Sequence, residues 1–381
     1  MLARLVLRAA LAALVHHHLT YPLTAWLLAR ISPRPVAADP QGTPRVTVVV
    51  AAHDEQAAIG DRVRNILGLD WPTDRLQLIV ASDGSQDDTV SAARAAAGDD
   101  DRVRVLDLPR AGKVAAQNAA VEQAAGTVLA FGDANARWEP DALGHLTGAL
   151  ADPAVGYVCG RLAYRDPEGN NQEGLYWRLE LWLRGQESAA GSVTAGNGAI
   201  YATRADTYQH LDPRMGHDLA LPTATVRAGF RAVYAPLARA SETMVPDTAG
   251  EARRKRRMMA RTWLIVVRGR LWDPRGLGSR HVFAVFSHRL LRYASPFAHL
   301  AVLLAAGHLL AHRPGSRTLA GVTVAGHATL AAAALAGRPG APLPLALARY
   351  YVGVTAAPAL GLWDVARHPI PATWDSPEGT R

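Results

Sequence analysis

The chain is poor in cysteine, lysine and charge: its 381 residues include one cysteine, and charged residues make up only 19%. A lone Cys159 excludes an internal disulfide framework and a cysteine-based zinc site, and it reads as a small buried residue. Lysine occurs only at Lys113 and Lys255, so arginine carries almost all the positive charge and Lys113 stands out against that background. No glycine-rich phosphate loop follows the first apolar strand, Val46 to Ala51, which disfavours a soluble nucleotidyltransferase. Low charge beside 49% hydrophobic residues implies a polar globule joined to a strongly apolar part.

The apolar part is Leu2 to Ile31 at the start and Pro296 to Ala311, Thr318 to Ala336 and Leu343 to Trp363 at the end. These runs of about 16 to 30 residues are candidate membrane segments. The first carries Arg4 and Arg8 ahead of its apolar stretch, holds His16, His17, His18, Tyr21 and Pro22, and has no small-residue cleavage site. That pattern predicts an uncleaved anchor and not a signal peptide. The later runs are rich in Ala and Gly, which suits close helix packing, and Arg349 within them must face protein, water or a headgroup.

The formal net charge of +8 invites a nucleic-acid reading. Its basic residues, however, gather at Arg253-Arg254-Lys255-Arg256-Arg257 and recur from Arg261 to Arg292, leading directly into the membrane segments. Positive charge beside a span fits the anionic cytoplasmic leaflet, so the expected partners include membrane lipids and not nucleic acid. The expected organisation is a membrane anchor over 1–35, an α/β domain over 36–250, basic interfacial helices over 251–293, membrane helices over 294–365 and a tail over 366–381. The expected location is the inner membrane, multi-pass, with the α/β domain cytoplasmic. One span before a cytoplasmic domain requires an outside N-terminus, whereas Arg4 and Arg8 favour an inside one.

Within the α/β domain, Leu76 to Ala81 and Thr127 to Phe131 are near-continuous apolar runs, Val46 to Ala51 is an apolar strand, Val103 to Leu108 reads as a further strand, and helices are expected between them at Ile59 to Leu69 and Asp88 to Ala97. Alternation of this kind predicts a mostly parallel, Rossmann-like sheet covered by helices. Two strands end in acids, at Ser82-Asp83-Gly84-Ser85 and at Asp133-Ala134-Asn135, where sheets of this class bind ligands. Asp87 and Asp88 read as helix caps.

Val48-Val49-Val50-Ala51-Ala52-His53-Asp54-Glu55, Ser82-Asp83-Gly84-Ser85, Gly112-Lys113-Val114-Ala115-Ala116-Gln117-Asn118, Asp133-Ala134-Asn135 and His217-Asp218 follow one another at a characteristic spacing. In order and spacing the set resembles the family 2 glycosyltransferases, in the membrane-bound branch that includes cellulose, chitin and hyaluronan synthases. The resemblance covers roughly residues 45 to 265 and implies a GT-A fold and an inverting transfer from a nucleotide sugar, expected to be a UDP-sugar, to a lipid-linked or glycan acceptor. It places Ala52, Asp54, Glu55, Asp83, Lys113 and Asp133 around the nucleotide, and Asp133 with Asn135 at Mg²⁺ or Mn²⁺, hard cations suited to oxygen ligands. Asn135 stands where the family has a second acid.

Asp218 is the implied catalytic base, preceded by His217 where the family has another acid. Gly196, Asn197 and Gly198 are expected near the donor or acceptor sugar, together with His217, Arg257, Arg261 and Trp263. Helix capping remains open for Asp218 and Asp54, an Asx turn for Asp133, a tight turn for Gly196 to Gly198, and a headgroup-facing helix for Arg257 and Arg261. Met258-Met259-Ala260-Arg261-Thr262-Trp263 departs from the Gln-x-x-Arg-Trp of processive synthases, which leaves processivity open. Two alternatives are a processive polysaccharide synthase and a non-catalytic sugar-binding protein on the same fold.

Overall fold

The computed structural model describes every residue except 40, 166–173, 244–247, 338–340 and 374–381, so the second half of the predicted tail lies outside the described residues. The chain forms two compact units. One holds Ala25–Gly250, Leu264–Val282 and Ile370–Arg381; the other holds Met1–Thr24, Glu251–Trp263 and Phe283–Pro369.

The first unit is built on an eight-stranded sheet. Its strands are β1 (Val46–Ala52), β2 (Leu76–Asp83), β3 (Val103–Leu108), β4 (Val128–Asp133), β5 (Ala136–Trp138), β6 (Val155–Arg165), β7 (Tyr201–Arg204) and β8 (Arg231–Thr243), in the order β3-β2-β1-β4-β7-β6-β8-β5. β1, β2, β3 and β4 are parallel, as the apolar runs predict. β1 reads Val-Thr-Val-Val-Val-Ala-Ala and is buried at all seven positions, because helices cover both faces. β2 and β3 lie on one side of β1 and β4 on the other, so the chain reverses its winding at β1. The crevice at the carboxyl ends of β1 and β4 is where such a sheet takes a ligand. The registers Ala51↔Asp133 and Ala52↔Ser82 bring the predicted acids to that one edge.

Two cores flank the sheet. Val48, Val50, Ile59, Val63 and Ile66 belong to one, and Val49, Ile79, Phe131, Tyr157, Tyr201 and Leu221 to the other.

The second unit is helical. Across both units the described residues include four helices long and apolar enough to cross a membrane: Leu2–Ile31, Ser279–His312, Pro314–Ala336 and Leu343–Arg367. The second begins well before Pro296, where the apolar run starts, because Pro296 sits inside the helix Leu291–His312 without ending it. Leu7 and Leu14 pack against Val302, Ala305, Ala306 and Leu309. Polar groups in these helices satisfy one another: His299 bonds His327 at 3.0 Å and the Tyr351 hydroxyl at 2.9 Å.

Candidate active site

Ala52 ends β1 fully buried, and the chain then turns sharply at Asp54, whose φ of 51° is left-handed. That turn is held by the next loop. Asp54 Oδ1 accepts a hydrogen bond from the Gln86 amide at 2.7 Å, and the Glu55 amide donates to Thr89 Oγ1 at 2.7 Å. Asp83, 1% exposed at the end of β2, accepts from the amides of Ala111 (2.7 Å) and Gly112 (2.9 Å). Its carboxylate thus fixes the loop that delivers Lys113. Gly112 has φ 103°, and a Cβ there would run into the Ala372 carbonyl, so two constraints make this position glycine.

Lys113 opens the helix Lys113–Val121 and its Nζ pairs with Asp133 Oδ1 at the end of β4. Burial opposes the ammonium charge, but Asp133, with Glu242 and Asp218 also acting, holds the lysine above its ordinary range. Lys113 therefore stays a fixed cation at any working pH. Gly198 keeps the space beside this pair open: a Cβ on it would lie 3.4 Å from Lys113 Nζ and 3.5 Å from Asp133 Oδ2. Asn135 is exposed in the turn that follows Asp133.

Among the described residues no three His, Cys, Asp or Glu side chains converge as a metal site. What the site offers is one half-exposed carboxylate facing a space that glycine leaves empty, with an amide oxygen two residues on. These hard oxygen donors fit Mg²⁺ or Mn²⁺, provided a diphosphate and water complete the coordination shell.

Asp218 lies in the first turn of the helix His217–Arg227. Its side chain folds back over Gly216, where a Cβ would sit 2.5 Å from Oδ1. Its carbonyl accepts from the Gly196 amide at 2.7 Å, tying the Gly196–Gly198 loop to the helix start. A Cβ on Gly196 would collide with the Tyr157 hydroxyl.

Two residues expected near the sugar face the core instead. The Asn197 amide is consumed by backbone, accepting from Ile200 at 2.9 Å and donating to the Gly160 carbonyl at 2.7 Å, so it shapes the loop. His217 is 4% exposed and bonds Tyr201. Burial, with Lys113 adding to it, pushes the His217 imidazole down to about 3 from 6.5. The unfolded chain then binds a proton that the folded one refuses. Stability from this group is present above pH 6.5 and is lost as pH falls toward 3, so melting temperature should drop through that window, and less so in His217→Asn. Equal slopes in both proteins would contradict this.

Arg257, Arg261 and Trp263 lie on the helix Thr248–Val267, within the stretch that belongs to the helical unit. Arg257 is exposed, and the Trp263 indole donates to the Pro358 carbonyl at 2.8 Å.

Sequence reasoning missed Arg62, Glu242 and the tyrosines around His217. Arg62 lies beneath Gly132, 4.8 Å over the Trp138 ring, and burial lowers its guanidinium to about 9 despite Asp133 and Glu242. A signal existed, since Ile59, Arg62, Val63 and Ile66 share the buried face of one helix.

Residues 47–205 match the family model described as glycosyl transferase family 2. An N-acetylglucosaminyltransferase of Rhizobium leguminosarum bv. viciae is 29% identical over 241 residues, 58% of this chain and 55% of that protein. Another, from Mesorhizobium japonicum, is 31% identical over 255 residues, 60% of this chain and 58% of its own length. A beta-monoglucosyldiacylglycerol synthase of Trichormus variabilis is 28% identical over 187 residues, 45% of this chain and 39% of the relative. The chain thus spans 39% to 58% of the curated relatives named here. Among solved structures, a mannosyltransferase from Pyrobaculum calidifontis, in complex with GDP-Man and Mn²⁺, superposes with a TM-score of 0.74 at 23% identity, covering 95% of this chain and 99% of that one. Residues 47–205 thus carry a glycosyl transferase family 2 domain, and the sheet has the GT-A fold of that structure.

Proposed function

We propose that the protein moves a sugar from a nucleotide-sugar donor, with inversion, to a lipid-borne or growing glycan acceptor at a membrane. The observation that carries this reading is the Lys113–Asp133 pair beside Gly198, with Asp218 acting electrostatically on the same lysine. A nucleoside diphosphate leaves with growing negative charge, which preformed cations stabilise best in a site shielded from water. Lys113 supplies such a cation. When bound at Asp133 and Asn135, Mg²⁺ or Mn²⁺ adds Lewis-acid neutralisation of the departing diphosphate.

The nucleoside end belongs to Ala52, Asp54, Glu55 and the Asp83 loop at the carboxyl edge of β1 and β2. In this reading Asp218, on a separate element, takes the proton from the acceptor hydroxyl as it attacks the anomeric carbon opposite the diphosphate. Direct displacement of that kind inverts configuration. The Gly196–Gly198 loop bridges the two halves, bonded to Asp218 at one end and open over Lys113 and Asp133 at the other.

The donor in this reading is a UDP-sugar, and the relatives named for N-acetylglucosamine and for a glucosyldiacylglycerol support hexose transfer. Four long apolar helices and the basic helix Thr248–Val267 support a multi-pass protein whose acceptor is presented at the lipid surface, with the GT-A domain cytoplasmic. Radiolabelled UDP-sugars offered with diacylglycerol vesicles or with short glycans test this. Label entering the organic phase, with the new glycosidic bond opposite in configuration to the donor, is expected. Retained configuration would exclude Asp218 as an in-line base, and label confined to soluble glycans would exclude a lipid acceptor.

A further inference from the structure

We propose that His217 is a positioning residue, an uncharged imidazole that locks together the three elements carrying Lys113, Asp133 and Asp218; this rests on the glycosyltransferase reading above. The geometry fixes both its proton and its partners. Gln117 Nε2 donates to the Tyr201 hydroxyl at 3.1 Å, which leaves that hydroxyl's hydrogen for His217 Nδ1, 2.6 Å away. The Tyr208 hydroxyl donates to Asn118 Oδ1 at 2.7 Å, so its oxygen is open to His217 Nε2–H at 3.4 Å. Asn118 Nδ2 then donates to the Leu211 carbonyl at 3.1 Å. The chain runs in one direction throughout and is complete only for a neutral imidazole with its proton on Nε2. A second proton on Nδ1 would face the hydrogen that Tyr201 donates.

The network reaches each element of the site through Tyr201 on β7, which pairs with Phe131 of β4, and through Tyr208 beyond it. Gln117 and Asn118 are one turn past Lys113 on its own helix. Phe131, two residues before Asp133 on β4, stacks on Tyr201 at 4.9 Å and on Tyr208 at 5.7 Å, and meets the His217 ring edge-on at 5.6 Å. His217 is itself joined to Asp218 by a peptide bond. Losing the ring frees the start of the helix His217–Arg227, and with it the direction in which Asp218 points. It leaves untouched the hydrogen bonds that hold Asp54, Asp83 and Gly112.

The expected defect is therefore in turnover and not in donor affinity, because a misplaced base costs rate while the nucleotide pocket stands. Steady-state kinetics of nucleotide release test this on the full-length protein in detergent. His217→Leu should lower kcat by about 30-fold with donor KM changed by less than about twofold. His217→Asn, whose side-chain oxygen can accept near the Nδ1 position, should recover kcat to within about fivefold of the parent. Tyr201→Phe, which keeps the ring, should lower kcat by about fivefold, and its combination with His217→Leu should be no slower than His217→Leu alone. If His217→Leu does not fold, Tyr201→Phe and His217→Asn carry the test. Parental kcat in Tyr201→Phe, an Asn variant as slow as Leu, or a loss that appears in donor KM would overturn the inference. An inactive parent protein, with no release from any donor, would overturn the glycosyltransferase reading and this inference with it.

Discussion

Replacing Asp218 by Asn is expected to lower transfer by about a thousandfold while leaving donor binding within a few-fold of the parent. General-base assistance is worth about 10²- to 10⁴-fold, and an amide cannot accept the acceptor's proton. The substitution is nearly isosteric, so the fold over Gly216 and the carbonyl bond to the Gly196 amide survive. Calorimetric titration of the nucleotide separates the two effects. If the only role of Asp218 were to support the helix start, where Gly216 is the N-cap and Asp218 stands in the first turn, the near-isosteric Asn variant would retain activity. Loss of turnover with retained nucleotide affinity therefore discriminates between catalysis and support of the helix start.

Asp133→Ala should abolish the response to Mn²⁺ and lower transfer by about a hundredfold or more, the scale lost when a preformed electrostatic contact to the departing group is removed. Its carboxylate is the partner of Lys113, so the variant also leaves that ammonium without its nearest counter-charge. The lysine would then turn toward Glu242, Asp218 or a bound diphosphate. Nucleotide affinity without metal should accordingly fall little or even rise, whereas Mn²⁺ should no longer enhance it. Mn²⁺ electron paramagnetic resonance, titrated with and without nucleotide, reads this independently of catalysis. Unchanged Mn²⁺ binding in Asp133→Ala would place the cation elsewhere.

The sheet could be read from the sequence because its central strands β1, β2 and β4 are buried on both faces and therefore appear as nearly unbroken apolar runs, with an Asp at or just beyond each carboxyl end. Burial of all seven residues of β1 is the physical origin of that signal. The acids at those ends were legible for the same reason, since a parallel register carries successive strand ends to one edge. What could not be read was which polar side chains turn inward. Asn197 and His217 look like loop residues beside a site, yet their partners are Gly160, Tyr201 and Tyr208, chosen by strand pairing that no local pattern encodes. Arg62 hid in a helix whose buried face it shares with three aliphatic residues. Pro296 marked an apparent boundary, but the helix Leu291–His312 runs through it.

The most direct measurement is the release of nucleoside diphosphate by the purified, detergent-solubilised protein against UDP- and GDP-linked sugars, with Mn²⁺ or Mg²⁺ and with Asp133→Ala and Asp218→Asn beside it. Metal-dependent release from one donor, lost in both variants, is the predicted result. Release equal in the parent and in both variants, or none from any donor when lipid is supplied, would contradict the assignment of Lys113, Asp133 and Asp218 to a nucleotide-sugar transfer site.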